Sequence, residues 1–562
     1  MRAKLARPAY SLTLALLVAG PLLSPGYLLL RDAVSTPRSY LSDTALGLTA
    51  APRATPQDFA LALSSGLIDG GVLVKALLVL GLWLAGWGAA RLAGSVLPDA
   101  GVAGEFVAGT LAVWNPYVAE RLLQGHWSLL VGYGCLPWVA AAVIDLRSDG
   151  RWQGFLGLAF WIALAGLTPT GLLLAAAVAL ACVAVPGPGR PRWLCAAVAA
   201  VCAVVGALPW LTASVLGSSL SAGNAVGVDV FAARAEPGLG TLVSLASLGG
   251  IWNGAAVPPS RSTLFAVVSA AVLLSVVAAG LPVALRRPAA VALVALAAVS
   301  VLVPTLLATG PGLHLLRSSV EAIPAFGMLR DGQKWVALAM PGYALTGAAA
   351  VVTLRRWLRP AVASSLCCVA LVLALPDLAF GVWGKVAPVH YPPGWAAVAD
   401  RINSDPGPVA VLPTGTMRRF SWSGAAPVLD PLPRWVRADV LSTGDLVISG
   451  ITVPGEGAHA RAVQQSLLAG PEPSVLASEG VRWLVVESGT PGDMGAAGRT
   501  VSGLTPVYRD AEMTLYRIGG VSPGASAGHR LAVLAAHWVW LLMLVGGAIG
   551  VLAERALKKR PR

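Results

Sequence analysis

The chain has 562 residues, of which 56% are hydrophobic and only 12% are charged. Its mean hydropathy is +0.72, and a chain this apolar lacks the polar side chains needed to cover its surface in water. The composition therefore excludes an ordinary soluble enzyme, a disordered protein and a fibre, and it predicts a polytopic membrane protein.

Apolar runs of about 20 residues, the length that crosses a bilayer as a helix, recur along the chain. They lie near residues 9–30, 71–94, 102–116, 127–145, 153–169, 171–186, 193–216, 262–285, 288–308, 336–353, 361–381 and 529–553. The pattern predicts about twelve transmembrane helices in a polytopic all-α membrane protein. Because the first run is long and meets Arg31-Asp32, we interpret it as a retained helix, not a cleaved signal peptide.

The positions of Lys and Arg predict the orientation. With the N-terminus in the cytoplasm, basic residues fall in alternate loops near residues 91, 147–151, 190–192, 286–287 and 355–359, and in the tail after residue 554. This distribution accounts for much of the net charge of +13 without a nucleic-acid partner. We therefore predict a multi-pass protein of the inner (plasma) membrane with both termini in the cytoplasm.

The longer segments then lie outside the cytoplasm: residues 31–70, 217–261, 309–335 and 384–527. The last is long enough to be a domain. Buried strands are predicted at 409–412 and 481–486, a hairpin at 505–518 and helices at 395–403 and 460–468. The predicted organisation is a transmembrane bundle at 1–383, a small extracytoplasmic α/β domain at 384–527, and a final helix with a basic cytoplasmic tail at 528–562.

The sequence contains none of the motifs that bind a nucleotide or a metal in soluble enzymes. There is no GxxxxGK[ST] loop, no HExxH and no CxxC, and the six histidines are scattered. All six cysteines lie in apolar runs and are interpreted as small hydrophobic residues. We predict no cofactor and no metal site.

Asp32 is the first candidate site residue, because it follows the first span directly. A carboxylate at the outer lip of a membrane cavity can act as a general base, accepting the proton of a hydroxyl group that attacks a sugar carbon. The alternative is that Arg31 and Asp32 form an ordinary interfacial pair that marks the end of a helix.

A second candidate is the segment 114–127, which reads Trp-Asn-Pro-Tyr-Val-Ala-Glu-Arg and continues to Gln-Gly-His-Trp. Asn-Pro ends a helix, and helical spacing brings Tyr117, Arg121 and Gln124 to one face. Glu120, Arg121 and His126 are therefore candidates for binding a sugar or a phosphate. An aromatic belt followed by a solvated helix is the alternative.

A third candidate is the segment 328–335, in which Arg330 and Lys334 precede a predicted span on the outer side. Cations there run against the positive-inside trend, and they suit a lipid phosphate that needs charge-assisted hydrogen bonds. The alternative is that both side chains snorkel at a helix end. A fourth segment, 231–253, mixes charge, glycine and aromatic residues and is interpreted as a wall of an acceptor groove.

In combination, these features resemble the GT-C superfamily of polyprenyl-phosphate-sugar-dependent glycosyltransferases. The resemblance is carried by Arg31-Asp32 with 52–58, by Trp114-Asn115-Pro116-Tyr117, by 330–335, and by 480–486 with 507–510. The nearest branch is similar to actinobacterial arabinofuranosyltransferases and mannosyltransferases of the cell envelope. One departure is that Asp32 has no adjacent acidic partner, since Asp43, Asp58 and Asp69 are the nearest acids that follow. A metal-bridged site is therefore not expected.

The resemblance implies an inverting transfer of a sugar from a polyprenyl phosphate to an envelope glycan or glycolipid on the extracytoplasmic face. Asp32 would be the base, Arg330 and Lys334 would hold the lipid phosphate, and Glu120, Arg121 and His126 would line the pocket. Two other readings stay open. A flippase for a lipid-linked sugar needs ionisable residues at mid-membrane, and a non-catalytic assembly protein would present only its outer domain.

Overall fold

The structure is a computed structural model that describes residues 2–217 and 225–558. The predicted outer segment 217–261 and the predicted basic tail therefore lie partly outside the described residues. Helices dominate the chain, and short strands occur after the first helix and between residues 409 and 517.

The helices of the first half are α1 Arg2–Ala19, α2 Gln57–Ser64, α3 Gly70–Val96, α4 Gly101–Val113, α5 Pro116–Gln124, α6 Trp127–Ser148, α7 Gln153–Ala165, α8 Pro169–Val183, α9 Arg192–Leu216, α10 Gly227–Val230, α11 Gly240–Ala246, α12 Phe265–Ala284 and α13 Pro288–Leu307. Those of the second half are α14 Gly310–Ala322, α15 Ala339–Leu354, α16 Pro360–Ala374, α17 Ala379–Trp383, α18 Pro393–Ser404, α19 Leu432–Trp435, α20 Ala458–Leu468, α21 Pro473–Ser478, α22 Ala497–Ser502 and α23 Ala527–Lys558. Within α17 the backbone is left-handed at residues 380–382.

Each predicted apolar run contains a helix, but fewer of these helices are long enough to cross a membrane. Within the described residues, eight helical segments pass by length and hydropathy: Leu5–Leu23, Gly70–Val96, Trp127–Ser148, Arg192–Leu216, Phe265–Ala284, Pro288–Leu307, Gly332–Leu354 and Ala527–Ala553. A ninth would be α16 together with the segment Pro376–Trp383, bent by 75°. The predicted count of about twelve spans is not confirmed, because helices such as α7 and α8 are too short.

The first span also ends earlier than predicted. Its helix closes in a 3-10 turn at Gly20–Leu23, and Pro25-Gly26 follows, with Gly26 at a φ of +115°. A proline next to a residue in this conformation cannot continue an α-helix. Asp32 therefore stands not at a helix end but on a hairpin that begins several residues later.

The helical bundle packs around α3, which contacts α1, α4 and α6, while α15 packs against α4, α12 and α13. Most of the buried side chains in this bundle are aliphatic or small. All six cysteines are free thiols, and five of them are buried, so they pack as hydrophobic residues.

The strands are β1 Leu29–Leu30, β2 Ala33–Val34, β3 Val409–Leu412, β4 Met417–Arg418, β5 Val428–Leu429, β6 Leu446–Ile448, β7 Ile451–Val453, β8 Trp483–Glu487, β9 Pro506–Arg509 and β10 Met513–Arg517. Four of them form one sheet in the order β3-β8-β10-β9. β3 runs parallel to β8, with Val409 opposite Trp483, and the other pairs are antiparallel. The predicted strands, the hairpin and the two helices, α18 and α20, are thus confirmed as elements.

The segment that carries this sheet reaches the first hairpin of the chain. The N–H of Arg31 donates to the carbonyl of Pro427 at 3.1 Å, and the N–H of Leu429 donates to the carbonyl of Arg31 at 2.9 Å. Tyr27 and Val389 exchange a further pair of backbone hydrogen bonds. The backbone beside Asp32 is therefore held from one side by the sheet-bearing segment.

Candidate active site

Asp32 lies at the tip of the two-residue hairpin that joins β1 to β2. Arg31, the first residue of that turn, has a φ of +48°, which tight hairpin turns require. Its guanidinium turns inward and donates to the carbonyl oxygens of Leu123 and Ala255. Arg31 therefore anchors the hairpin to neighbouring segments, while the side chain of Asp32 stays 37% exposed.

The end of α5 brings two polar side chains to Asp32. Asn115 begins the helix by accepting a hydrogen bond from the N–H of Val118 at 3.1 Å, and Gly125 ends it with a φ of +85°. A Cβ atom on Gly125 would lie 2.3 Å from the carbonyl oxygen of Leu30. Only glycine therefore lets the helix end approach the hairpin closely enough for Gln124 and His126 to contact Asp32.

Both hydrogen bonds to the Asp32 carboxylate fall on the same oxygen. Nε2 of Gln124 donates to Oδ2 at 3.0 Å, and Nε2 of His126 lies 2.9 Å from Oδ2. Asn253 donates to Oε1 of Gln124 at 2.7 Å and so fixes the orientation of its amide. Among the described residues, no hydrogen bond reaches Oδ1 of Asp32, so this oxygen is available to an incoming hydroxyl group.

Arg121 determines which nitrogen of His126 carries the proton. Nη1 of Arg121 lies 3.2 Å from Nδ1 of His126, and a guanidinium can only donate. Nδ1 is therefore the acceptor, and the proton of the neutral imidazole sits on Nε2, from which it is donated to Asp32. Burial lowers the pKa of His126, and the positive charges of Lys334 and Arg121 also act against a second proton.

Arg121 is itself fully buried and held by two residues of the segment before α15. It donates to both carboxylate oxygens of Asp331, at 2.9 and 3.1 Å, and to Oε1 of Gln333. Burial acts to raise the pKa of Asp331, but Arg121 and Lys334 outweigh it and hold this pKa at about 2. The charges of Arg121 and Asp331 thus cancel inside the protein.

The network continues inward from Gln333 to Glu120. Nε2 of Gln333 donates to Oε2 of Glu120 at 2.9 Å, and the N–H of Ile251 donates to the same oxygen at 3.2 Å. Glu236 forms an ion pair with Arg261, and both side chains are 0% exposed. Burial, followed by the adjacent carboxylate of Glu236, raises the pKa of Glu120 well above its ordinary value.

Lys334 lies close enough to Asp32 for its charge to act on the carboxylate. Its Nζ lies 3.7 Å from Oδ2 of Asp331, and its side chain remains 27% exposed. Burial acts to raise the pKa of Asp32, but the hydrogen bonds from His126 and Gln124 and the charge of Lys334 outweigh it and lower this pKa. Asp32 is therefore a carboxylate at neutral pH.

Arg330 occupies a different environment from Lys334. Its guanidinium lies over the ring of Phe231, 4.6 Å from the centroid, and Phe231 packs edge-to-face on Trp252. Within the described part of the chain, Arg330 has no carboxylate within salt-bridge distance. Arg53 and Glu456, which are paired at 2.7 Å, are among the charges that act on its pKa. Arg330 thus lies against an aromatic pair outside the hydrogen-bond network of Asp32.

The structure therefore brings five of the six candidate residues, Asp32, Glu120, Arg121, His126 and Lys334, into one connected cluster, with Arg330 beside it. One expectation needs correction: Glu120 and Arg121 do not line an open pocket, because both are 0% exposed and are engaged by other protein groups. Part of the segment 231–253 also lies inside, since Glu236, Gly249 and Ile251 are buried, while its role as a wall of an acceptor groove stays a prediction.

Sequence reasoning gave no role to Asp331, Gln333, Asn253, Glu236 or Arg261. Asp331 and Gln333 lie between the two proposed cations, and their polarity at the start of a span was the available signal. Nothing local distinguished Glu236 or Arg261 from surface charges. Among the described residues, no group of three His, Cys, Asp or Glu side chains is placed to hold a metal ion.

Comparison with solved structures shows a similar fold, whereas comparison by sequence finds no match. No protein-family model matches the chain, and no curated protein matches it by sequence. Among solved structures, the fold is similar to the cryo-EM structure of the arabinofuranosyltransferase AftD from mycobacteria, with a TM-score of 0.59 and 17% sequence identity. The match covers 92% of this chain and 40% of AftD, so the chain spans less than half of the length of that protein. The chain therefore shares the fold of part of the arabinofuranosyltransferase AftD.

Proposed function

We propose that the protein is an integral membrane glycosyltransferase that moves a sugar from a polyprenyl phosphate to a cell-envelope glycan or glycolipid. The proposed reaction takes place on the extracytoplasmic face, where the segment 384–527 would hold the acceptor. The shared fold and the helices long enough to cross a membrane support this reading. The name of the structural relative makes arabinofuranose the first sugar to test, and mannose the second.

The observation that carries the proposal is the asymmetry of the Asp32 carboxylate. His126 and Gln124 occupy Oδ2 and leave Oδ1 open on a partly exposed side chain. A hydroxyl group of the acceptor would donate to Oδ1 and attack the anomeric carbon as its proton passes to Asp32. The bond from that carbon to the phosphate oxygen breaks on the opposite face, and its electron pair leaves with the phosphate, so the configuration inverts.

The cations next to Asp32 suit the leaving group. Lys334 is partly exposed beside Asp32, and it would balance the charge that develops on the lipid phosphate. Arg330 would contact the same phosphate from the side of Phe231. Arg330 lies just before the candidate span Gly332–Leu354, and Lys334 lies in its first turn, at the depth where the head group of a lipid donor would lie. His126 would line the pocket, whereas Glu120 and Arg121 would not touch the substrate and would act by positioning His126.

The decisive experiment is transfer from radiolabelled polyprenyl-phosphate sugars by the full-length protein in membranes, with Asp32→Asn compared at matched expression. We expect Asp32→Asn to lose about 100- to 10,000-fold in transfer rate, the usual contribution of a general base, and to keep its affinity for the donor. Asp58→Asn is the matched control, because Asp58 lies in the same outer loop but pairs with Arg434.

Two outcomes would contradict the proposal. Near-normal transfer by Asp32→Asn would remove Asp32 as the base. Absence of transfer from every donor tested, together with loss of cellular function only when residues 384–527 are deleted, would favour the non-catalytic assembly protein. Movement of the lipid-linked sugar across the bilayer without transfer would favour the flippase.

A further inference from the structure

The most buried acidic residues of the cluster, Glu120 and Glu236, have no part in the proposed chemical step. Both side chains are out of contact with solvent. The segment 249–251 lies against both, since the N–H of Ile251 donates to Glu120 and a Cβ atom on Gly249 would lie 2.6 Å from Oε1 of Glu236. The carboxylate of Glu236 is close enough to raise the pKa of Glu120. Among the described residues, Oε1 of Glu120 and Oε1 of Glu236 are both buried without a hydrogen-bond partner. Two carboxylates that met in this way would repel each other and leave acceptor atoms unsatisfied.

The charges around this pair decide how many protons it holds. Glu120 faces Glu236, Arg261 and Arg121. Arg261 already has Glu236 as its counter-ion, and Arg121 already has both oxygens of Asp331. A third negative charge would have no cation of its own in a buried site, which is costly. One proton held by the pair removes that charge and gives an orphaned oxygen a donor.

The orientation of Gln333 depends on the same arrangement. With the proton on Oε1 of Glu120, Oε2 accepts hydrogen bonds from Gln333 and Ile251. The amide nitrogen of Gln333 then faces Glu120, so its oxygen must face Arg121. Arg121 is thereby held with Nη1 toward Nδ1 of His126, and the imidazole keeps its proton on Nε2, against Asp32.

We propose that Glu120 and Glu236 share one proton, and that this neutralised pair is a positioning element that fixes the Nε2–H tautomer of His126 through Gln333 and Arg121. The second part rests on the proposed function, because it gives the tautomer its purpose at Asp32. The first part does not depend on any activity. Glu120 and Glu236 are thus positioning residues and do not touch the substrate.

Infrared spectroscopy of the full-length protein in lipid nanodiscs tests the shared proton. At neutral pH, we expect the difference between wild type and Glu120→Gln to contain the carbonyl stretch of a protonated carboxyl group. Glu105→Gln is the matched control, since Glu105 is also buried but pairs with Arg7 alone; its difference spectrum should contain only bands of an ionised carboxylate. If the Glu120→Gln difference spectrum also contained only bands of an ionised carboxylate, the proposal of a shared proton would be wrong.

The tautomer is tested by nitrogen NMR of the protein labelled at histidine, with His126→Gln used to identify the signal. We expect His126 to show an unprotonated Nδ1 and a protonated Nε2 in wild type, in Glu120→Gln and in Glu105→Gln. In Glu120→Leu, which cannot bond Gln333, the signal should become a mixture of the two tautomers. An unchanged signal in Glu120→Leu would show that the pair does not position His126.

Transfer measurements add a readout that separates the two proposals. We expect Glu120→Leu to lose roughly tenfold in transfer rate, equivalent to one lost buried hydrogen bond, and Glu120→Gln to recover most of that loss. If Glu120→Leu and Glu120→Gln lost transfer rate equally, the proposal that Glu120 is neutral would be wrong. If wild type transfers no sugar, the proposed function fails, while the infrared and NMR results still decide the proton and the tautomer.

Discussion

The hydrogen-bond network has two ends that are built from similar side chains but differ in exposure. At one end, Asp32 contacts His126 and Gln124 and remains 37% exposed. At the other end, Glu120 and Glu236 lie near Arg261 with no exposure. We call these the open end and the closed end. The difference teaches that a carboxyl group becomes a base or a support according to the environment that the fold gives it.

The neighbouring groups explain the opposite behaviour of the carboxyl groups at the two ends, because burial acts to raise both pKa values. Burial acts to raise the pKa of Asp32, but its hydrogen bonds from His126 and Gln124 and the charge of Lys334 outweigh burial, so its charged form is favoured and its pKa is lowered. Glu120 is sealed beside a second carboxylate, so its neutral form is favoured and its pKa is raised. Arg121 and Gln333 lie between the two ends. Through their hydrogen bonds, the orientation of Glu120 sets the orientation of His126.

The largest expected effect comes from removing the residue that joins the ends. Arg121→Met should leave Asp331 buried without its bidentate partner, which costs about 3–5 kcal/mol. It should also free His126 and reduce sugar transfer strongly. Thermal unfolding in nanodiscs, with Arg287→Met as the control, measures the first effect. Arg287 pairs with Asp99 at the surface, where an ion pair contributes about 0–1 kcal/mol. If both variants lost the same stability, Arg121 would not be the buried partner that holds Asp331.

The open end is tested by comparing its two cations. Lys334→Gln should raise the KM for the polyprenyl donor by about 10- to 100-fold, because it removes a charge-assisted contact with the phosphate. Arg330→Gln should have a smaller effect, since Arg330 is stacked on Phe231 and lies farther from Asp32. Lys385→Gln is the control, because Lys385 is an exposed lysine outside the network. An unchanged KM in Lys334→Gln would remove this residue from the donor site.

The closed end is tested by a single methyl group. A Cβ atom on Gly249 would lie 2.6 Å from Oε1 of Glu236 and 2.9 Å from Nη2 of Arg261. Gly249→Ala should therefore lower the free energy of unfolding by about 1–3 kcal/mol, as overpacking does. Gly310→Ala is the control, since nothing lies within 4 Å of the added Cβ there. A Gly249→Ala protein as stable as its control would show that the closed end is loosely packed.

The smallest expected effect is the dependence on pH at the open end. The pKa of His126 is lowered from its ordinary value of 6.5, so transfer should be constant around neutral pH and fall only at more acidic pH, when His126 takes a second proton. Stability should fall over the same range, because the unfolded chain binds this proton more readily than the folded one. A pH–rate profile measures the first effect, and an acid limb above pH 6.5 would contradict it.

Much of the fold could be predicted because its signals are local. Hydropathy over about 20 residues identifies membrane helices, and each apolar run does contain a helix. The length of each helix was harder to predict, because turns such as Gly20–Leu23 end a helix inside an apolar run. The predicted orientation and the domain boundaries remain predictions.

The candidate site was predictable only in part, for the same reason. Asp32, His126 and Lys334 were identified by their position next to spans, which is a local property. The burial of Glu120 and the roles of Glu236 and Arg261 were not. These depend on contacts between residues more than a hundred positions apart, such as Gln333 with Glu120.

The sequence by itself determined that this is a helical membrane protein and that Lys334 stands at the start of a span, because composition and hydropathy act along the chain. Only the tertiary structure decided which carboxyl group is open and which is sealed. That choice follows from the packing of the first hairpin, the end of α5 and the segments before α12 and α15, where Gly125 and Gly249 permit backbone and side chains to approach closely. Desolvation acts on the assembled cluster, and no single segment contains it.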